Sequence, residues 1–163
     1  GRVLAGVLVL AVGLGLATST GNVRKDRTQA AQLAAAIRAG LRPGDVVGYC
    51  PDQLGPATSM LLPADVSQLT FPAAAGPRFI DWVDYAARNR AGDPAGFARR
   101  LSAAAGPSHA VWLVWGSQYR ALGTQCEQVV NQLSGLRPGT QAVVAADFVR
   151  FFEHASLVRA PGR

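Results

Sequence analysis

Cysteine and histidine each occur only twice in the 163 residues, and charged residues make up just 16% of them. With no Cys-x-x-Cys, a thioredoxin-type redox centre is excluded, and two Cys plus two His at scattered positions match no zinc spacing. Neither His109 nor His154 adjoins a cysteine in sequence, and Ser117 lacks the Gly-x-Ser-x-Gly elbow of a hydrolase. A Gly-x-Gly-x-x-Gly turn is also missing, which argues against nucleotide binding by the usual route. No catalytic residue, metal or cofactor is therefore expected.

The net charge of +6 and pI near 10.3 would ordinarily suggest nucleic acid as a partner. The basic residues, however, are almost all Arg and are scattered, without a dense stripe or an aromatic-basic motif. A coding bias toward Ala, Arg and Gly accounts for the excess, so no nucleic-acid partner is expected. Internal repeats and low-complexity tracts are likewise missing.

Long apolar runs, by contrast, are present. Val3 to Ala17, VLAGVLVLAVGLGLA, is unbroken and apolar on every side, and Thr18 to Gly21 after it are small and weakly polar. Three readings follow: a membrane span, a secretory signal with Arg2 as its basic remnant and Ala17-Thr18-Ser19 at the cleavage site, or a buried core helix. The first two put the remainder outside the cytoplasm. Arg24, Lys25 and Arg27 oppose this by the positive-inside rule, which is a bias summed over a whole topology. The first residue is Gly1 and not Met, which points to a fragment or a processed product.

Beyond Gly21 the pattern alternates. Asp26 to Ala39 is Ala-rich and helical, and Val46 to Tyr49 is a short β-prone run stopped at Cys50-Pro51. Further strands are expected at Ser67 to Phe71, Ala110 to Trp115 and Gln141 to Ala146. Helices are expected near Gln53 to Leu62, after the Asp93-Pro94 cap, and after Thr124, whose Thr-x-x-Glu spacing suggests a capping box. Phe148 to Val158 reads as an edge strand or a short helix. The fold class expected is α/β: a small Rossmann-like, mostly parallel sheet with helices on both faces, spanning residues 21–163 and preceded by a transmembrane helix in residues 1–20.

On that topology the carboxyl rim of the sheet gathers Cys50, Asp52 and Gln53 after one strand, and Trp115, Gln118 and Tyr119 after another. Asp81, Trp82, Asp84 and Tyr85 join from the connection after the second strand. Cys126, in the first turn of the last helix, shares this rim, so a Cys50–Cys126 disulfide is sterically plausible; an even cysteine pair outside the cytoplasm is usually bonded. Aromatic faces beside carboxylates and amides suit sugar rings. The structural alternative makes Asp81 a helix cap, Asp84 and Arg88 an i, i+4 pair, and Trp82 and Trp112 core residues.

The succession of apolar span, Ala-rich helix, Arg42 to Pro56 (RPGDVVGYCPDQLGP), Arg78 to Asn89 (RFIDWVDYAARN), Ala110 to Trp115 (AVWLVW), and Tyr119 followed by Cys126 resembles the C-terminal extracytoplasmic domain of bacterial GT-C-type membrane glycosyltransferases. The likeness is to mannosyltransferase-like and arabinosyltransferase-like envelope proteins of high-GC bacteria. It implies a parent enzyme that takes sugar from a polyprenyl-phosphate donor, with catalytic residues in membrane loops outside this chain. Residues 1–20 would then be part of its last span, in the bacterial cell membrane. The soluble part would be non-catalytic and help seat a cell-envelope glycan or lipid acceptor. The rival expectation is a membrane-anchored or secreted envelope domain with a binding or scaffolding role and no transferase. A free-standing Rossmann-like enzyme would need a cofactor loop that is not found.

Overall fold

In the computed structural model, which describes residues 1–23, 26–117 and 123–162, five strands form one sheet. They are β1 (Val46–Cys50), β2 (Ser67–Thr70), β3 (Val111–Trp115), β4 (Gln141–Val144) and β5 (Ser156–Ala160), in the spatial order β2-β1-β3-β5-β4. β1 pairs in parallel with β2 and β3, while β5 runs antiparallel between β3 and β4. The sheet is therefore mixed. The segment expected as an edge strand or helix supplies instead an inner strand, because the loop after β4 turns the chain back into the gap beside β3.

β1 and β3 are apolar along almost their whole length because helices cover both sides of the sheet. On one face, α5 (Pro94–Ala105) and α6 (Gln125–Leu136) bury Phe97, Leu101, Val129 and Leu133 against Val46, Val111 and Leu113. On the other, α2 (Ala30–Gly40) packs Leu33 and Ile37 on Val47, Trp112, Val114 and Leu157. The link from β1 to β2, a 3-10 turn at Asp52–Leu54 and α3 (Gly55–Ser59), joins that second face through Leu54. Gly48 lets α5 sit close on β1: a Cβ there would lie 2.8 Å from Leu101 Cδ1.

Two buried polar groups lock the far end of the sheet, where β1 and β3 begin. Asp45 accepts from the backbone N–H of Ala110 (2.8 Å), from Trp112 Nε1 (3.0 Å) and from the Arg42 N–H (3.1 Å), joining the turn before β1 to β3. Arg137 donates to Ser102 Oγ (2.9 Å), Ser102 O (2.8 Å), His109 O (2.7 Å), Pro161 O (3.1 Å) and Gly106 O, holding the ends of α5 and β5 together. Trp112 is core, as its sequence context suggests, and the Arg159 guanidinium lies 5.3 Å from its ring centre. Asp93 caps α5 by accepting from the Gly96 N–H at 2.8 Å. The Thr124 capping box does not form; Thr124 Oγ1 accepts from Gln128 Nε2 at 3.1 Å.

The first helix, α1 (Arg2–Val23), stands apart. From residue 1 to residue 20 every position is exposed, which rules out a buried core helix. Its 22 residues measure about 33 Å at 1.5 Å per residue, enough for a hydrocarbon core of about 30 Å. The helix is thus a membrane anchor or a signal segment. Arg24 and Lys25 lie outside the described residues.

Candidate functional site

Register places Cys50 opposite Trp115 and Trp115 opposite Ser156, so the ends of β1 and β3 and the start of β5 share one rim. Open α/β sheets bind ligands at such a rim, between strands whose crossovers leave by opposite faces. β1 and β3 are such a pair here, since α3 lies on one face and α5 and α6 on the other. The crevice is filled by protein. Cys50 and Cys126, both fully buried, are joined as a disulfide with Cα atoms 5.5 Å apart, tying the end of β1 to the first turn of α6. The expected pairing is therefore present, and neither sulfur is a free nucleophile. Together with the apolar first helix it points to an extracytoplasmic, envelope location.

Beside the disulfide, Asp52 is buried in the 3-10 turn after the cis Cys50–Pro51 bond, its backbone N–H donating to Phe71 O at 2.9 Å. Tyr85 Oη donates to its Oδ1 at 2.7 Å. Desolvation raises the Asp52 pKa; the Tyr85 hydrogen bond and the Arg88 charge pull the other way without cancelling it. Gln53 follows, half-buried. Tyr85 opens the short helix α4 (Tyr85–Arg90), and the Trp82 ring lies against it with centroids 5.0 Å apart. Trp82 is 62% exposed, so it is a surface ring and not core.

The other expected residues distribute unevenly. Asp84 is exposed, with a left-handed backbone (φ 50°) at the start of α4, and its side chain makes no cap. Arg88 pairs with Asp81 at 3.6 Å instead of with Asp84, and its Nε donates to Val83 O at 3.0 Å. Asp81 caps no helix; its Oδ1 accepts from the Val83 N–H at 2.9 Å. Trp115 is half-buried and turns toward β5, lining a cavity of about 320 Å³ with Gly116, Ser117, Phe148, His154 and Ser156. Its Nε1 is buried without a partner among the described residues. Gln118 and Tyr119 lie outside the described residues. Asp52, Tyr85 and Trp82 thus form one contiguous unit, with Trp115 on the same rim. The sequence leaves Trp82 open between rim and core, since it stands among Phe79, Ile80 and Val83, and its exposure decides for the rim.

Chemically, the unit offers an exposed aromatic face next to a carboxyl held by a phenol. No cluster of three or more metal-ligating side chains occurs among the described residues. The chain matches no family model, no curated protein and no solved structure.

Proposed function

We propose that this chain is the membrane-anchored extracytoplasmic domain of a GT-C-type bacterial envelope glycosyltransferase, non-catalytic by itself, whose carboxyl rim seats the saccharide acceptor. The observation that carries the reading is the Trp82–Tyr85–Asp52 unit. An exposed indole packs on the C–H face of a pyranose or furanose, while the buried Asp52 carboxyl fixes the Tyr85 ring on which that indole rests. The disulfide and the apolar first helix support the compartment in which such acceptors occur. The polyprenyl-phosphate sugar donor and the catalytic groups belong to the parent enzyme. A Rossmann-like ancestry is part of the same reading, supported by the three adjacent parallel strands in the order β2-β1-β3.

The test is a titration of the full chain, in detergent, with mannose and arabinose oligosaccharides, followed by tryptophan fluorescence and isothermal calorimetry. Wild type is expected to bind in the millimolar range, and Trp82→Ala to weaken binding by about 1 kcal/mol, roughly fivefold in Kd. Equal binding by wild type and Trp82→Ala, or none by either, would remove the glycan seat. Upstream sequence separates a transferase from an anchored envelope domain of the same fold: about ten preceding hydrophobic spans support the first, and a start codon shortly before Gly1 the second.

A further inference from the structure

Outside α1, seven large apolar side chains among the described residues are more than 60% exposed: Met60, Phe79, Trp82, Val83, Phe148, Val149 and Phe152. All but Met60 lie in connections on the carboxyl rim, three following β2 and three between β4 and β5. Apolar residues gathered in this way on one pole mark a surface that meets something other than water.

The path of the chain between α1 and the rim bears on what that surface meets. Val23 ends α1, and Arg27, four residues on, already accepts a backbone hydrogen bond from the Glu153 N–H at 3.0 Å. Four residues span at most about 14 Å. Thr28 bridges Glu153, and the Gln29 N–H donates to Glu153 O at 2.9 Å. The buried Gln29 side chain then organises the whole loop: its Oε1 accepts from the N–H groups of Asp147 and Ala155 (3.1 Å each), and its Nε2 donates to Ala145 O at 2.8 Å. Asp147 Oδ1 accepts from the Val149 and Arg150 N–H groups, closing the tip. The loop is thus pinned at its base, while Val149 is 100% and Phe152 92% exposed. Arg150, whose guanidinium lies 5.2 Å from the Phe151 ring centre, adds a cation at the same level.

We propose that this rim lies on the bilayer, with the tip of the 147–152 loop inserted among the lipid headgroups beside the point where α1 leaves the membrane. Aromatic rings with a flanking arginine favour that zone, the rings toward the acyl boundary and the guanidinium toward phosphate. Phe79 and Val83 reach the same surface from the opposite edge of the sheet. The inference rests on α1 being an anchor, and it brings the Asp52–Tyr85–Trp82 unit to headgroup height, where a lipid-linked saccharide presents its sugar.

The full chain is reconstituted in vesicles of zwitterionic and anionic phospholipid, as wild type, Phe152→Trp, Val149→Trp and Met60→Trp. The added emission of each variant over wild type is compared with and without lipid carrying a nitroxide near the headgroup. The emission added by Phe152→Trp or Val149→Trp is expected to fall at least about twofold, with that of Met60→Trp unchanged. Carbonate extraction is run in parallel. Chain that stays with the vesicles while both loop variants remain unquenched, or while Met60→Trp is quenched equally, overturns the docked rim alone; the face would then serve a second copy or another protein. Chain that carbonate releases overturns the anchor and the docking together.

Discussion

Removing the disulfide by the double substitution Cys50→Ala/Cys126→Ala gives the sharpest test of what holds the rim. The bond closes a loop across a sequence separation of 76. Chain-entropy theory then assigns it about 4.5 kcal/mol, within the usual range of about 2 to 5 for a native bridge. Domains of this size are stable by about 5 to 15 kcal/mol, so a large share of the total is at stake. Both sulfurs are fully buried between β1 and α6, so the substitution also removes packing that an alanine pair does not restore. The assay is urea unfolding of the full chain in micelles, followed by the emission of buried Trp112. With a slope of about 1.5 kcal/mol per M, the midpoint should fall by about 3 M. Reduced wild type should behave like the variant. A shift below about 0.3 M would refute the reasoning, as would two thiols that label in untreated, unfolded protein.

Two further outcomes follow from the buried polar groups. Arg137→Lys retains the charge but cannot reproduce five hydrogen bonds from a planar fork, and should lose about 3 kcal/mol in the same unfolding assay. A loss under about 0.5 kcal/mol would show the network to be dispensable. Asp52 has a raised pKa in the folded state, so its contribution to stability is fully present below the ordinary aspartate value and is lost as pH rises through the raised one. Asp52→Asn should therefore flatten the decline in stability between mildly acidic and neutral pH. Identical slopes in wild type and variant would contradict the burial penalty.

Where hydrophobic pattern alone determines structure, sequence and fold agree. Val46 to Tyr49 and Ala110 to Trp115 read as buried strands because both faces of the sheet are covered, and the rim geometry that follows from them brings Cys50 and Cys126 together. Patterns that depend on a long-range partner were not legible. Ser156 to Ala160 contains Arg159, which suggests an edge, yet that guanidinium lies over the Trp112 ring and the strand sits inside the sheet. Thr124 and Glu127 have capping-box spacing, but the Thr124 backbone (φ −105°, ψ 18°) does not take the extended form that a cap requires. All three members of the candidate unit, Asp52, Tyr85 and Trp82, were placed on the rim by the sequence reading. For Trp82 a core role stayed equally open, because nothing local distinguishes an exposed aromatic from a core one, and the place of Gln29 depends on carbonyl and N–H groups more than a hundred residues away.

The helix α2 begins at the same pole as the rim and descends about 16 Å before the chain turns through Pro43-Gly44 into β1. The last strand runs downward as well, and Pro161 leaves beside His109 and Arg137. The start of α2 and the end of β5 consequently occupy opposite ends of the domain. A fluorescent reporter or affinity handle fused after Gly162 would hang from the end remote from the start of α2, leaving the aromatic end unencumbered for whatever it touches.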